Sequence, residues 1–135
     1  MSDRYIYLDH AATTPVDERV VAAMLPYFTD KPGNPSSIHQ AGRAALEALD
    51  DARETVAAVL GASRKEIIFT GGGSEADNLA IKGVALAQRQ AGKGAHLITS
   101  AIEHHAVLHA VEYLEACGFE ATVLPVDADA PLDDE

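Results

Sequence analysis

An α/β fold built on a parallel sheet is the architecture this 135-residue chain predicts, and three features carry it. Short continuous apolar runs, "EIIFT" (66–70), "HLITS" (96–100) and "EATVLPV" (120–126), alternate with two segments of helical period. Glycines stand where those helices must stop, at Gly92 and Gly118. Runs without polar alternation suit strands covered on both faces, and strand–helix–strand–helix–strand order gives two βαβ units.

The elements follow in order. "YIYL" (5–8) reads as a short strand and "DHAATTP" as a polar loop. Pro15 suits a first helical position with Thr14 as its cap, and Pro26 kinks or ends that helix. "TDKPGNPSS" is dense in turn formers. From Ser37 to Leu60, apolar residues at 46, 49, 52, 56, 59 and 60 recur at helical spacing, and Gly61 ends the run. Residues 74–90 and 104–117 read as helices. The boundaries expected are an amino-terminal strand and loop (1–15), a partial α/β domain (16–126) and an acidic end (127–135). A sheet of three strands with "DADAPLDDE" behind it leaves an uncovered edge, so the chain reads as ending mid-domain.

Composition removes several function classes. A net charge of −11 disfavours nucleic acid or an anionic membrane as partner. The acids at 127, 129 and 133–135, and those at 47, 50, 51 and 54, read as a solvated tail and a solvated helix face. The lone Cys117 permits no internal disulfide, which points to a reducing cytoplasm. No secretion signal opens the chain, and no apolar run approaches the ~20 residues of a membrane helix.

Chemistry concentrates at "IIFTGGGSEADN" (67–78). Gly71, Gly72 and Gly73 carry the chain from a strand end into a helix start, where free N–H groups and roughly half a positive charge attract phosphate. The Ser74 hydroxyl adds a donor. The bland reading is a glycine turn before a helix capped by a Ser74–Asp77 box. "GGGSEA" also matches a dinucleotide fingerprint, but the acid that should end the next strand is missing: Ser100 stands there, with Glu103 beyond it. No P-loop lysine follows. In "SAIEHHAVLH", His104 or His105 stands over whatever the glycines hold and can stack on a flat ring. His105 and His109 share helical spacing, yet nothing else marks a metal site, and none is expected. A phosphate cradle with a stacking imidazole suits pyridoxal 5'-phosphate.

Four stretches, "YLDHAATTP" (7–15), "GNPSSIHQAG" (33–42), "EIIFTGGGSEADNLAIKG" (66–83) and "HLITSAIEHHAVLHA" (96–110), resemble the amino-terminal part of the cysteine desulfurases of the NifS/IscS kind. Those are class V aminotransferase-type enzymes of pyridoxal-phosphate fold type I. The likeness runs from residue 5 to about 127. It implies that Gly73 and Ser74 bind the cofactor phosphate. His104 stacks on the pyridine ring with a possible part in proton transfer, and His10 and Asn34 border the substrate site. Gly71 and Ser74 depart from the more usual Ser and Thr, which preserves the cup.

The resemblance further implies a homodimer that takes sulfur from L-cysteine, leaving alanine and an enzyme persulfide. A sulfur-acceptor protein then serves iron–sulfur cluster assembly or tRNA thiolation. The family's Schiff-base lysine in a "GHK" segment, the aspartate on its pyridine nitrogen and its loop cysteine have no counterpart here. Lys31, Lys65, Lys82 and Lys93 stand in other contexts, and Cys117 reads as structural. The expectation is an amino-terminal desulfurase fragment, inactive alone. A non-catalytic remnant or split subunit acting through a partner chain, and a nucleotide-binding module, are the alternatives.

Overall fold

The structure, a computed structural model, describes residues 6–126. The chain divides into two compact units, residues 1–67 and 68–135.

In the first unit, α1 (Glu18–Met24) starts at Asp17, whose carboxylate accepts the Arg19 N–H at 2.8 Å. The cap expected at Thr14 therefore lies three residues later. Asp17 wins because a carboxylate at the positive helix end also engages the Arg19 guanidinium, at 2.8 Å. A 3-10 turn, Leu25–Tyr27, follows and carries Pro26, as the proline predicts. The long helix α2 spans Gln40–Leu60, and Gly61 ends it in the left-handed region at φ 65°. Its apolar stripe stays largely open within this unit: Ala57 is buried, while Val59 is 81% exposed. Asp50, read as part of a solvated face, instead accepts from Arg53 at 2.6 Å and lies 3.5 Å from Arg64. That pairing ties the 3-10 turn Arg64–Glu66 back to α2.

Two expected strands do not form among the described residues. Residues 6–8 have no regular structure, and the 66–70 run begins inside the 3-10 turn. Ile67 is extended, at φ −96° and ψ 122°, but extended backbone becomes a strand only beside a partner.

The second unit holds α3 (Gly73–Gln90), β1 (His96–Ser100), α4 (His105–Ala116) and β2 (Glu120–Leu124). These are the elements that sequence periodicity predicts, within one to two residues at their ends. β1 and β2 pair in parallel from His96↔Glu120 to Ser100↔Leu124, with α4 as the crossover. Thus the α/β class and parallel pairing hold, with one βαβ unit formed instead of two. Beyond β1 the Ala101 N–H still reaches the Leu124 carbonyl at 2.9 Å, after which the strands part.

Leu114 and Phe119 pack with Ala85, Ile81, Ala95 and Leu97 into the core. Leu114 is fully buried, which stabilises the unit by about 1.5–3 kcal/mol. Strand alternation sends Leu97 to this core and Ile98 to the opposite face, where it is 67% exposed. The expected double-sided burial is therefore one-sided within this unit, because the described elements cover only one face. Residues 127–135, expected as an acidic end, lie outside the described residues.

Candidate functional site

The two helix starts that carry the candidate residues lie at one end of the sheet. Lys82 of α3 stands 4.2 Å from the Tyr113 ring of α4. One turn to two turns further on, the Arg89 guanidinium lies 4.1 Å from the Phe119 ring and donates to the Cys117 carbonyl at 2.8 Å. Progress along α3 thus matches progress along α4, so the helices run the same way. Each runs against β1: α3 feeds it through a short turn, and α4 leaves its carboxyl end. Gly73 and His105, their first residues, consequently share the side toward which β1 delivers Ser100. Open parallel sheets bind ligands at that end.

At the start of α3, Gly72 is the N-cap and no side chain caps the helix. A Cβ built on Gly72 or Gly73 would meet nothing within 4 Å, so the approach to the first-turn N–H groups is open. Ser74 is exposed beside them. The Ser74–Asp77 box, the alternative to a phosphate site that the sequence left open, does not form. Glu75 turns back instead, and its carboxylate accepts the Gly71 N–H at 2.7 Å. The Ser74 carbonyl accepts from the Asn78 amide at 2.8 Å. The glycine stretch is therefore folded by its own acid at Gly71, leaving the Gly73–Ser74 edge open. An uncapped, glycine-built helix start with an adjacent hydroxyl suits a phosphate group.

His104 is the N-cap of α4, with extended backbone at φ −62° and ψ 146°. Its Nδ1 accepts the Ala106 N–H at 3.1 Å, and the ring is exposed. His105 lies 6.3 Å from it, centroid to centroid, and stacks on His109 at 5.6 Å. Among the described residues no group of three His, Cys, Asp or Glu could hold a metal ion. An apolar groove of about 410 Å³ runs beside β1, lined by Ile81, Val84, Leu97 and Val111 among others, and contains none of the candidate residues.

His10 and Asn34 belong to the first unit. His10 meets the Tyr7 ring edge-on at 5.0 Å, in a turn where the Asp9 carbonyl accepts from Ala12 at 3.2 Å. Asn34 has a local job: its Oδ1 accepts the Ser36 N–H and its carbonyl the Ser37 N–H, both at 2.9 Å. The glycines of "GNPSSIHQAG" earn their places by close approach, since a Cβ on Gly33 would strike the Ala41 carbonyl oxygen and one on Gly42 that of Ser37. His39, which sequence reasoning passed over, caps α2 through Nδ1, accepting the Gly42 N–H at 3.3 Å. The sequence reading began the helix at Ser37, which put His39 inside it; the helix starts at Gln40 instead, so the ring is free to cap it.

Comparison with known proteins identifies the family of the chain. The family model for Aminotransferase class-V matches residues 6–135. The putative cysteine desulfurase IscS 1 of Bacillus subtilis (strain 168) is 58% identical over 122 residues, covering 90% of this chain and 32% of the relative. The cysteine desulfurase IscS of Methanosarcina thermophila is 55% identical over 125 residues, 93% of this chain and 30% of the relative. Among solved structures, a NifS-like protein superposes with a TM-score of 0.77 at 42% identity, over 86% of this chain and 31% of its own. SspA in complex with cysteine gives 0.77 at 47% identity, over 87% and 33%. The chain spans about a third of the length of the curated relatives it matches. It belongs to the class-V aminotransferase family, among sequences similar to the cysteine desulfurases of the NifS/IscS kind.

Proposed function

We propose that this chain is the amino-terminal part of a pyridoxal-phosphate-dependent cysteine desulfurase and supplies part of the cofactor cup. The observation that carries this reading is the pair of helix starts at the carboxyl end of β1, one uncapped and glycine-built, the other bearing an exposed imidazole. Gly73 and Ser74 bind the phosphate through backbone N–H groups and the hydroxyl. The His104 ring covers a face of the pyridine. When bound, pyridoxal phosphate supplies an electron sink for cleavage at the substrate's carbon–sulfur bond. The work of these residues is to bind, orient and shield. The lysine that anchors the cofactor and the cysteine that receives sulfur come from polypeptide other than these 135 residues, so the chain alone turns over no cysteine. The complete enzyme is a cytoplasmic homodimer that passes sulfur to an acceptor protein.

The test is a titration of the chain with pyridoxal 5'-phosphate, followed by fluorescence and thermal unfolding. Binding to the folded state raises the melting temperature with ligand concentration. Ser74→Asp, which sets a negative charge in the cradle, is expected to abolish the shift, and His104→Ala to weaken it. An equal shift in wild type and S74D would sink the proposal.

A second reading rests on exposed apolar surface. Ile98, Val84 and Leu79 are 67%, 60% and 48% exposed. Such surface fits a subunit that works against a complementary polypeptide. Light scattering separates the two: a discrete mixed complex supports association, and a well-behaved monomer opposes it.

A further inference from the structure

We infer that the start of α4 fixes the tautomer of His104, so that its imidazole presents an Nε2–H donor, and no free acceptor nitrogen, to a ligand at the carboxyl end of β1. The cap carries the argument. Nδ1 accepts the Ala106 N–H at 3.1 Å, and only an unprotonated ring nitrogen can accept. A neutral imidazole has one ring proton, which must then sit on Nε2.

Residue choice points the same way. Asp, Asn, Ser and Thr cap helices better than an aromatic ring does. A histidine at this exposed cap gives the helix start one acceptor and gives the site a flat ring with a directed donor. His105, the next residue, makes ring contacts instead, with His109 at 5.6 Å and His104 at 6.3 Å. His39 repeats the arrangement at α2, with Nδ1 accepting the Gly42 N–H at 3.3 Å. One end of each ring is thereby committed to backbone.

For the reading above, on which its functional meaning rests, the consequence is a direction. His104 holds a proton at Nε2 and donates a hydrogen bond to an acceptor atom of cofactor or substrate. The ligand chemistry selected at this spot is an oxygen or anionic acceptor, not an N–H donor.

The experiment is a long-range proton–nitrogen NMR correlation on the histidine-labelled chain at pH 8, where imidazole is neutral. His104 is expected as a single tautomer, Nδ1 bare and Nε2 protonated, with His39 alike and His105 averaged between tautomers. His104→Asn should keep Ala106 amide exchange near the wild-type rate, whereas His104→Ala should speed it about fivefold. A dominant Nδ1–H form, or an averaged pattern like that of His105, overturns the inference. Both readouts stand apart from pyridoxal phosphate, so failure to bind the cofactor would defeat the proposed function while leaving the tautomer assignment intact.

Discussion

Glu75 and Gly71 close the glycine stretch from within, the carboxylate accepting the backbone N–H at 2.7 Å. A negative group already sits against the first turn of α3, one residue beyond the Gly73–Ser74 edge. Glu75→Ala removes a charged hydrogen bond and a favourable dipole contact on an exposed turn, so a loss of about 0.5–1 kcal/mol is expected. It also removes a competitor for anions. Inorganic phosphate should therefore stabilise E75A more than wild type in a thermal-shift titration; an equal or smaller shift in E75A would show that the acid does not compete.

Glycines 42 and 83 should respond in opposite directions to the same change. A Cβ on Gly42 strikes the Ser37 carbonyl, which is backbone and cannot step aside, while a Cβ on Gly83 meets nothing within 4 Å. Gly42→Ala is expected to cost about 1–3 kcal/mol by overpacking. Gly83→Ala, inside α3, should gain about 0.5–1 kcal/mol because it lowers unfolded-state freedom in a helical position. Urea midpoints of the two variants against wild type decide both.

Arg89 bridges α3 to the turn before β2, with its guanidinium over Phe119 at 4.1 Å and a bond to the Cys117 carbonyl at 2.8 Å. Arg89→Ala should lower stability by about 1–2 kcal/mol, and Arg89→Lys should recover part of it by restoring charge without the planar fork. Thermal unfolding of the three proteins gives the order; a wild-type value for R89A would remove the bridge from the account.

Acid should loosen the first unit at two known places. The Arg19 side chain, then its backbone N–H, hold the Asp17 carboxyl below its usual range. The Ser63 backbone N–H, then its hydroxyl, do the same for Glu66. Both folded values are depressed, so their stabilisation is present above the unfolded values and is lost as pH falls through the folded ones. Helical circular dichroism is expected to hold from pH 7 to about 5 and to decline below about 4. Asp17→Asn keeps a capping side chain but loses the ion pair to Arg19, so it should be somewhat less stable than wild type at pH 7 and flatten Asp17's share of the acid limb.

Much of this protein is legible from residue order because it depends on neighbours in sequence. Gly61 and Gly118 end helices, with φ of 65° and 85° in the region that favours glycine. The run "HLITS" becomes β1 with the expected ends, and the glycine stretch opens α3 within a residue of the expected place. The four motifs named the family before any coordinate. What required tertiary structure was every feature that needs a partner from elsewhere or a choice of rotamer. The 66–70 run has the composition of β1 yet forms no strand among the described residues, since a strand exists only through bonds to another. Asp17 displaced Thr14 as a cap because a nearby guanidinium also wanted its carboxylate. Glu75, not the Ser74–Asp77 pair, closed the glycine turn, because its side chain is long enough to reach back to Gly71. The imidazoles of His39 and His104 became helix caps through ring orientation, which the order of residues leaves open and the packed chain decides.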